Sequence, residues 1–138
     1  MNANPDTPVS TAEPAEFAPF WSLLRERRLG FPRCTACARY HWYPKLLCPY
    51  CFGASIEWTE VTGEATLYSW TSVRHAFQPA YRDKIPYTVA LVEFSDAPGV
   101  RLVTQLIDGS APTLRCGMLL RPIFNDTRGP IPTVVFRP

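Results

Sequence analysis

Cys34-Thr35-Ala36-Cys37 and Cys48-Pro49-Tyr50-Cys51 are two C-x2-C pairs separated by ten residues. Two tight turns of this kind, set face to face, aim four thiolates at a tetrahedral centre, which suits zinc. The same four sulfurs would also hold a rubredoxin-like iron centre. Four cysteines complete a coordination shell and leave no position for water or substrate, so the metal's part is structural. A disulfide framework gains little from the paired spacing and needs an oxidising compartment. His41 lies between the pairs as a spare nitrogen ligand, but four cysteines already suffice. Residues 31–55, the zinc ribbon, have almost no core of their own, so ligand bonds are expected to carry most of its stability.

On the N-terminal side, residues 1–15 combine three prolines with small polar residues and no apolar periodicity, the composition of a flexible tail. Residues 16–30 read as an amphipathic helix. Phe17, Phe20, Trp21 and Leu24 fall at i, i+3, i+4 and i+7, Arg25, Arg27 and Arg28 occupy the dipole-negative end, and Gly30 is placed to stop the helix. The aromatic stripe either packs on the chain's own core or docks into a partner, since a helix ahead of a separate module has little core to cover.

On the C-terminal side the pattern changes to short β-prone runs: 56–61, 65–73, 88–94, 101–107, 118–124 and 133–136, broken by turns such as Ala97-Pro98-Gly99 and Asp108-Gly109-Ser110. Five or six short strands over 56–138 predict a small antiparallel barrel of the OB type. Alternation is imperfect across Thr66–Val73, as in a strand wrapped by neighbours on more than one side. The expected fold is therefore mainly β, with an N-terminal helix, a rubredoxin-like zinc ribbon and an OB-fold barrel.

Size and composition agree with that plan. The chain has 138 residues and 15.6 kDa, room for one domain with an appended module. At 46% hydrophobic and 19% charged it can bury a core. Fifteen prolines favour short strands and loops over long helices. Fourteen basic against 12 acidic residues leave a formal charge of +2, too small for a general nucleic-acid binder. No apolar run approaches the length of a membrane span and the first residues lack the pattern of a secretory signal, so a cytoplasmic location is expected.

Charge is unevenly spread, however. Arg25, Arg27, Arg28, Arg33, Arg39 and Lys45 are opposed between residues 25 and 45 only by Glu26, with Tyr40, His41, Trp42 and Tyr43 interleaved. This is either a solvated face or a site for a phosphate-bearing ligand or an acidic partner.

Catalytic signals are sparse. Gly-rich phosphate loops, G-x-S-x-G and H-E-x-x-H are absent from the sequence. His75 follows the 65–73 run beside Arg74 and Phe77, and Cys116 has no histidine near it in sequence, so burial as a small apolar side chain is the expectation for Cys116. No catalytic residue is assigned.

The order Phe20-Trp21, then Leu29-Gly30-Phe31-Pro32-Arg33-Cys34, the two C-x2-C turns and Glu57-Trp58 resembles the acyl-CoA-associated family of zinc-ribbon plus OB-fold proteins, catalogued as a domain of unknown function. Gly63 before Leu67-Tyr68-Ser69-Trp70-Thr71, Ile85-Pro86-Tyr87 before Val89-Ala90-Leu91-Val92, and Cys116-Gly117-Met118 before Arg121 extend the likeness over roughly residues 16–137. The chain departs from the family pattern at Ala38, where many members have glycine, and at Phe52, which displaces that glycine to Gly53.

The resemblance implies a non-catalytic partner of thiolase-like enzymes or hotdog-fold hydratases acting on coenzyme-A thioesters. Phe17, Phe20, Trp21 and Leu24 would meet the partner, and Arg25, Arg28, Arg33 and Arg39 would meet its acidic face or coenzyme phosphates. Two other readings stand beside it: a single-stranded nucleic-acid module built on the barrel, and an independent acyl-CoA enzyme using His75 or Cys116.

Overall fold

Helix α1 (Ala18–Arg25) carries Pro19 in its first turn, where a missing N–H costs nothing, and is entered through a 3-10 turn, Ala15–Phe17. This computed structural model describes residues 14–109, 111–125, 127–128 and 131–138; the expected tail lies outside them except for Pro14 and Ala15. The helix is shorter than the expected 16–30, and Gly30 does not end it. Arg27 does, in the left-handed conformation at φ 58°. Its N–H donates to the Leu24 carbonyl at 3.0 Å and the Arg28 N–H donates to the Leu23 carbonyl at 2.9 Å, the two bonds of a Schellman cap. Gly30 serves instead for close approach. It lies in strand β1 (Leu29–Cys34), and a Cβ there would stand 2.6 Å from Leu23 Cδ1 and 3.0 Å from the Thr59 carbonyl oxygen.

Strand β1 pairs antiparallel with β2 (Ile56–Val61), from Leu29 opposite Val61 to Cys34 opposite Ile56. The 56–61 run, expected in the barrel, thus belongs to the two-stranded sheet of the ribbon. The barrel is made of the remaining five: β3 (Ala65–Val73), β4 (Tyr87–Phe94), β5 (Arg101–Leu106), β6 (Leu119–Asn125) and β7 (Thr133–Arg137). Their order is β3-β4-β5-β7-β6, closed by β6 on β3, the five-stranded arrangement of an OB-type barrel. One seam departs from the expected antiparallel pairing, because β5 and β7 run parallel where Leu106 faces Phe136.

The irregular alternation in β3 is a register shift between Leu67 and Ser69. It leaves Tyr68 on the outside, with the Arg101 guanidinium 3.9 Å from its ring centroid. Strand β4 alternates strictly, with Thr88, Ala90, Val92 and Phe94 turned inward.

Ribbon and barrel share one core. Ring centroids lie 6.3 Å apart for Phe20 and Phe31, 5.0 Å for Phe31 and Phe94, and 6.1 Å for Phe94 and Phe136, so an aromatic chain runs from the helix through β1 into the barrel. The ribbon therefore does not depend on ligand bonds as fully as its length alone implies.

The turn between β2 and β3 is also pinned. Asp96 Oδ2 accepts hydrogen bonds from the Thr62 and Gly63 N–H groups at 2.9 Å each, and Ser95 Oγ accepts one from the Glu64 N–H at 2.9 Å. Because this turn is the covalent joint between ribbon and barrel, Asp96→Ala is expected to lower the unfolding free energy by roughly 1 kcal/mol, with Asp96→Asn recovering part of the loss. Urea unfolding reads the difference; equal midpoints for wild type and Asp96→Ala would show that the joint needs no clamp.

Candidate metal centre

Strand β1 delivers Cys34 to the first turn, and the second turn begins at Cys48. The two are built alike. Four residues beyond each leading cysteine an N–H donates back to its carbonyl: Ala38 to Cys34 at 2.8 Å, Phe52 to Cys48 at 2.9 Å. Each leading cysteine donates its own N–H five residues onward, Cys34 to the Arg39 carbonyl at 2.9 Å and Cys48 to the Gly53 carbonyl at 2.8 Å. The residue after each second cysteine is left-handed, with φ 63° at Ala38 and 60° at Phe52.

This repeated turn brings the Sγ atoms of Cys34, Cys37, Cys48 and Cys51 within 4.8 Å of one another. The short separations, 3.6 Å for Cys34 to Cys51 and 3.6 Å for Cys37 to Cys48, each cross from one turn to the other. A tetrahedron with Zn–S bonds of about 2.3 Å has edges of about 3.8 Å, whereas a disulfide is about 2.05 Å. The donor set and its spacing fit zinc held by four thiolates.

Electrostatics agree with the geometry. The Cys37 backbone N–H leads the groups that hold the Cys34 thiol below its ordinary value. At Cys48 burial pushes upward but is outweighed by the N–H groups of Cys51 and Tyr50 and by Cys37, giving about 7. The Gly53 N–H acts to lower Cys51, yet its sulfur neighbours, Cys34 first, together with burial drive it up to about 11. Four adjacent thiolates repel one another, and a dication at their centre removes that penalty. With all four positions taken by sulfur, zinc here organises the fold and offers no open site for chemistry.

An aromatic cluster is centred on Trp42, whose ring lies 4.8 Å from Phe20, 5.3 Å from Phe31 and 5.7 Å from Phe17. Trp42 occupies irregular chain between the turns, so no periodicity in the sequence marks it as a hub. His41 is buried beside it, and its ring nitrogens have no partner among the described residues and are not among the atoms gathered at the cysteines. Burial, then Lys45, pushes its pKa down, which keeps the ring neutral.

The helix stripe is divided. Phe20 and Leu24, expected to meet a partner, are 7% and 1% exposed and belong to the core, because the shared ribbon–barrel core reaches up to the helix. Phe17 and Trp21 remain half-buried and stack on each other at 5.5 Å.

The arginines expected to bind phosphate have separate local roles. Arg28 Nε donates to Glu60 at 3.0 Å and Nη1 to Glu26 at 2.7 Å, and this pairing holds the Glu60 carboxyl below the usual carboxylate range. Arg33 Nε donates to the Ala38 carbonyl at 3.2 Å and its guanidinium faces Tyr40. Arg39 lies over the Tyr50 ring at 4.9 Å, and Arg25 closes α1 at the surface.

His75 and Cys116 do not form a pair. His75 meets Phe77 edge-on at 4.6 Å in a cleft of about 380 Å³ lined also by Tyr81 and Tyr87, whereas Cys116 lines a different cleft with Tyr68 and Glu93. Cys116 is exposed rather than buried. The turn that carries it is tied to β3 through the backbone, the Gly117 N–H donating to the Leu67 carbonyl at 2.7 Å, which leaves the thiol outside. Among the described residues no helix is long and apolar enough to cross a membrane.

A four-cysteine ribbon built onto a closed five-stranded barrel defines a zinc-ribbon plus OB-fold protein. Residues 21–57 match the family described as the ChsH2 rubredoxin-like zinc ribbon domain and residues 58–125 the ChsH2 C-terminal OB-fold domain. The chain belongs to this family, also called DUF35.

A solved structure titled "Ltp2-ChsH2(DUF35) aldolase" is similar with 30% identity and a TM-score of 0.78, over 92% of this chain and 97% of that one. A probable enoyl-CoA hydratase alpha subunit of Thermomonospora curvata is 32% identical over 86% of this chain, and the chain spans 36% of that protein's length. A DUF35 domain-containing scaffold protein of Methanothermobacter thermautotrophicus is 25% identical over 78% of this chain and 80% of the relative.

Proposed function

We propose that this protein is a non-catalytic accessory subunit of an acyl-CoA-utilising enzyme, one of the thiolase superfamily or a hotdog-fold hydratase, which it stabilises and whose coenzyme or acyl channel it helps to shape. The observation that carries this reading is likeness over nearly the full length of a chain whose structure is titled as an aldolase together with a DUF35 component. The side-chain chemistry supports it: the metal shell is filled by sulfur, and His75 and Cys116 line separate clefts. Phe17, Trp21 and the basic residues Arg25, Arg33 and Arg39 are the surface groups offered to the partner or to coenzyme phosphates.

Affinity purification from the native host tests this. An acyl-CoA enzyme, identified by mass spectrometry and by its turnover of a coenzyme-A thioester, is expected to co-purify in fixed ratio with the chain. A solitary monomer that itself turns over thioesters, and loses that activity on His75→Ala or Cys116→Ser, would overturn the reading.

The nucleic-acid reading draws on the β3–β4 loop, where Arg74, Arg82 and Lys84 accompany a ring at Phe77 that is 92% exposed. Titration with single-stranded oligonucleotides at low and moderate salt separates the two. Tight, salt-dependent binding would favour the nucleic-acid role.

A further inference from the structure

Phe52 stands in the left-handed conformation at φ 60° with 76% of its surface exposed. A residue with a Cβ carries that backbone at a cost that glycine avoids, and a benzyl ring left in water gains nothing in return. The ring is not part of the core cluster. The first turn supplies an internal control, because Ala38 occupies the equivalent left-handed position with a single methyl group. The turn, and the metal site it builds, therefore need no large side chain there.

Two unfavourable choices at one position, with no return inside the chain, point to a use outside it. The same seven-residue segment also exposes Leu46, Leu47 and Tyr50. Its own stretch of chain is basic, although Glu16 lines the cleft that holds Lys45 and Leu46. From Arg27 to Ile56 the sequence holds no aspartate or glutamate, Arg39 covers the Tyr50 ring, and Lys45 adjoins Leu46.

We infer that the second turn is a docking surface with Phe52 as its anchor, and that its occupant is the acyl-CoA enzyme subunit, presenting an apolar socket rimmed by carboxylates. This rests on the accessory role proposed above and names the surface that serves it. A ring held out on a rigid, metal-tied turn loses little freedom on docking, which is the property of an interface anchor. The basic rim matches an acidic socket edge.

The test uses the full chain and the co-purified enzyme, with affinity measured by calorimetry for wild type, Phe52→Gly and Leu46→Asp, and metal content and melting temperature measured for each. Phe52→Gly is expected to keep its metal and to match or exceed the wild-type melting temperature while affinity falls roughly 30-fold. Leu46→Asp, two residues ahead of Cys48, provides a variant that leaves the left-handed position untouched, and a loss of roughly 10-fold or more is expected. Unchanged affinity in both variants would overturn the anchor while leaving the accessory role standing. Absence of any acyl-CoA enzyme from wild-type preparations would remove the role and the anchor together. A wild-type dimer that Phe52→Gly converts to monomer would assign the surface to a second copy of the chain and overturn the inference.

Discussion

Replacing Cys48 with serine is expected to lower bound zinc from about one equivalent per chain to below about a tenth, the result of exchanging a thiolate for a poorly ligating hydroxyl. Serine nearly conserves volume, so the loss reports coordination rather than packing. Cys48 is fully buried, its N–H is held by Gly53 and its carbonyl by Phe52, so the turn cannot offer another donor without coming apart. Metal binding in isolated zinc-finger peptides is worth on the order of 10–16 kcal/mol at neutral pH. Acid acts in the same direction, because the thiolate is the ligand and protons compete for it.

The shared aromatic core limits how far the damage spreads. Hydrogen exchange of the Cys48→Ser protein is expected to show protection lost over residues 34–53 and retained in strands β3 to β7. Full metal content by elemental analysis, with wild-type protection in both turns, would show that the four cysteines are not the ligand set.

The second large effect is expected at Phe31. Its ring is fully buried between Phe20, Trp42 and Phe94, at the point where helix, ribbon and barrel meet. Truncation to alanine removes that contact from all three and is expected to cost about 3–5 kcal/mol. For a chain of this size the melting temperature should fall by roughly 10 °C or more. Phe31→Leu keeps most of the volume and is expected to recover most of the stability. Phe77→Ala removes a ring that is already in solvent and should change stability by no more than about 0.5 kcal/mol. If Phe31→Ala and Phe77→Ala melt together, ribbon and barrel do not share a core.

These two sites differ in how visible they are in the chain. Cys48 announces itself, since a tetrahedral ion imposes a short-range spacing that local turns satisfy and that is written into 18 consecutive residues, from Cys34 to Cys51. Phe31 does not, because what makes it decisive is Phe94, far along the chain, coming to lie against it with Phe136 packed on the Phe94 ring in turn. The helix end is a similar case. A glycine after a basic turn is an ordinary stop signal, yet Gly30 was needed where Leu23 and Thr59 crowd the backbone, and Arg27 took the left-handed position instead.

By itself the amino-acid order determined the metal ligands, the presence of a short helix and the six β-prone runs that became strands, since each follows from residue type and spacing within a few neighbours. Tertiary structure alone decided that β2 leaves the barrel to pair with β1, that β5 meets β7 in parallel, and that Phe20 and Leu24 are spent on the core while Phe52 is left in water. The reason is physical: strand partners and burial are settled by which distant surfaces must jointly exclude water, and that competition has no signature in any single window of sequence.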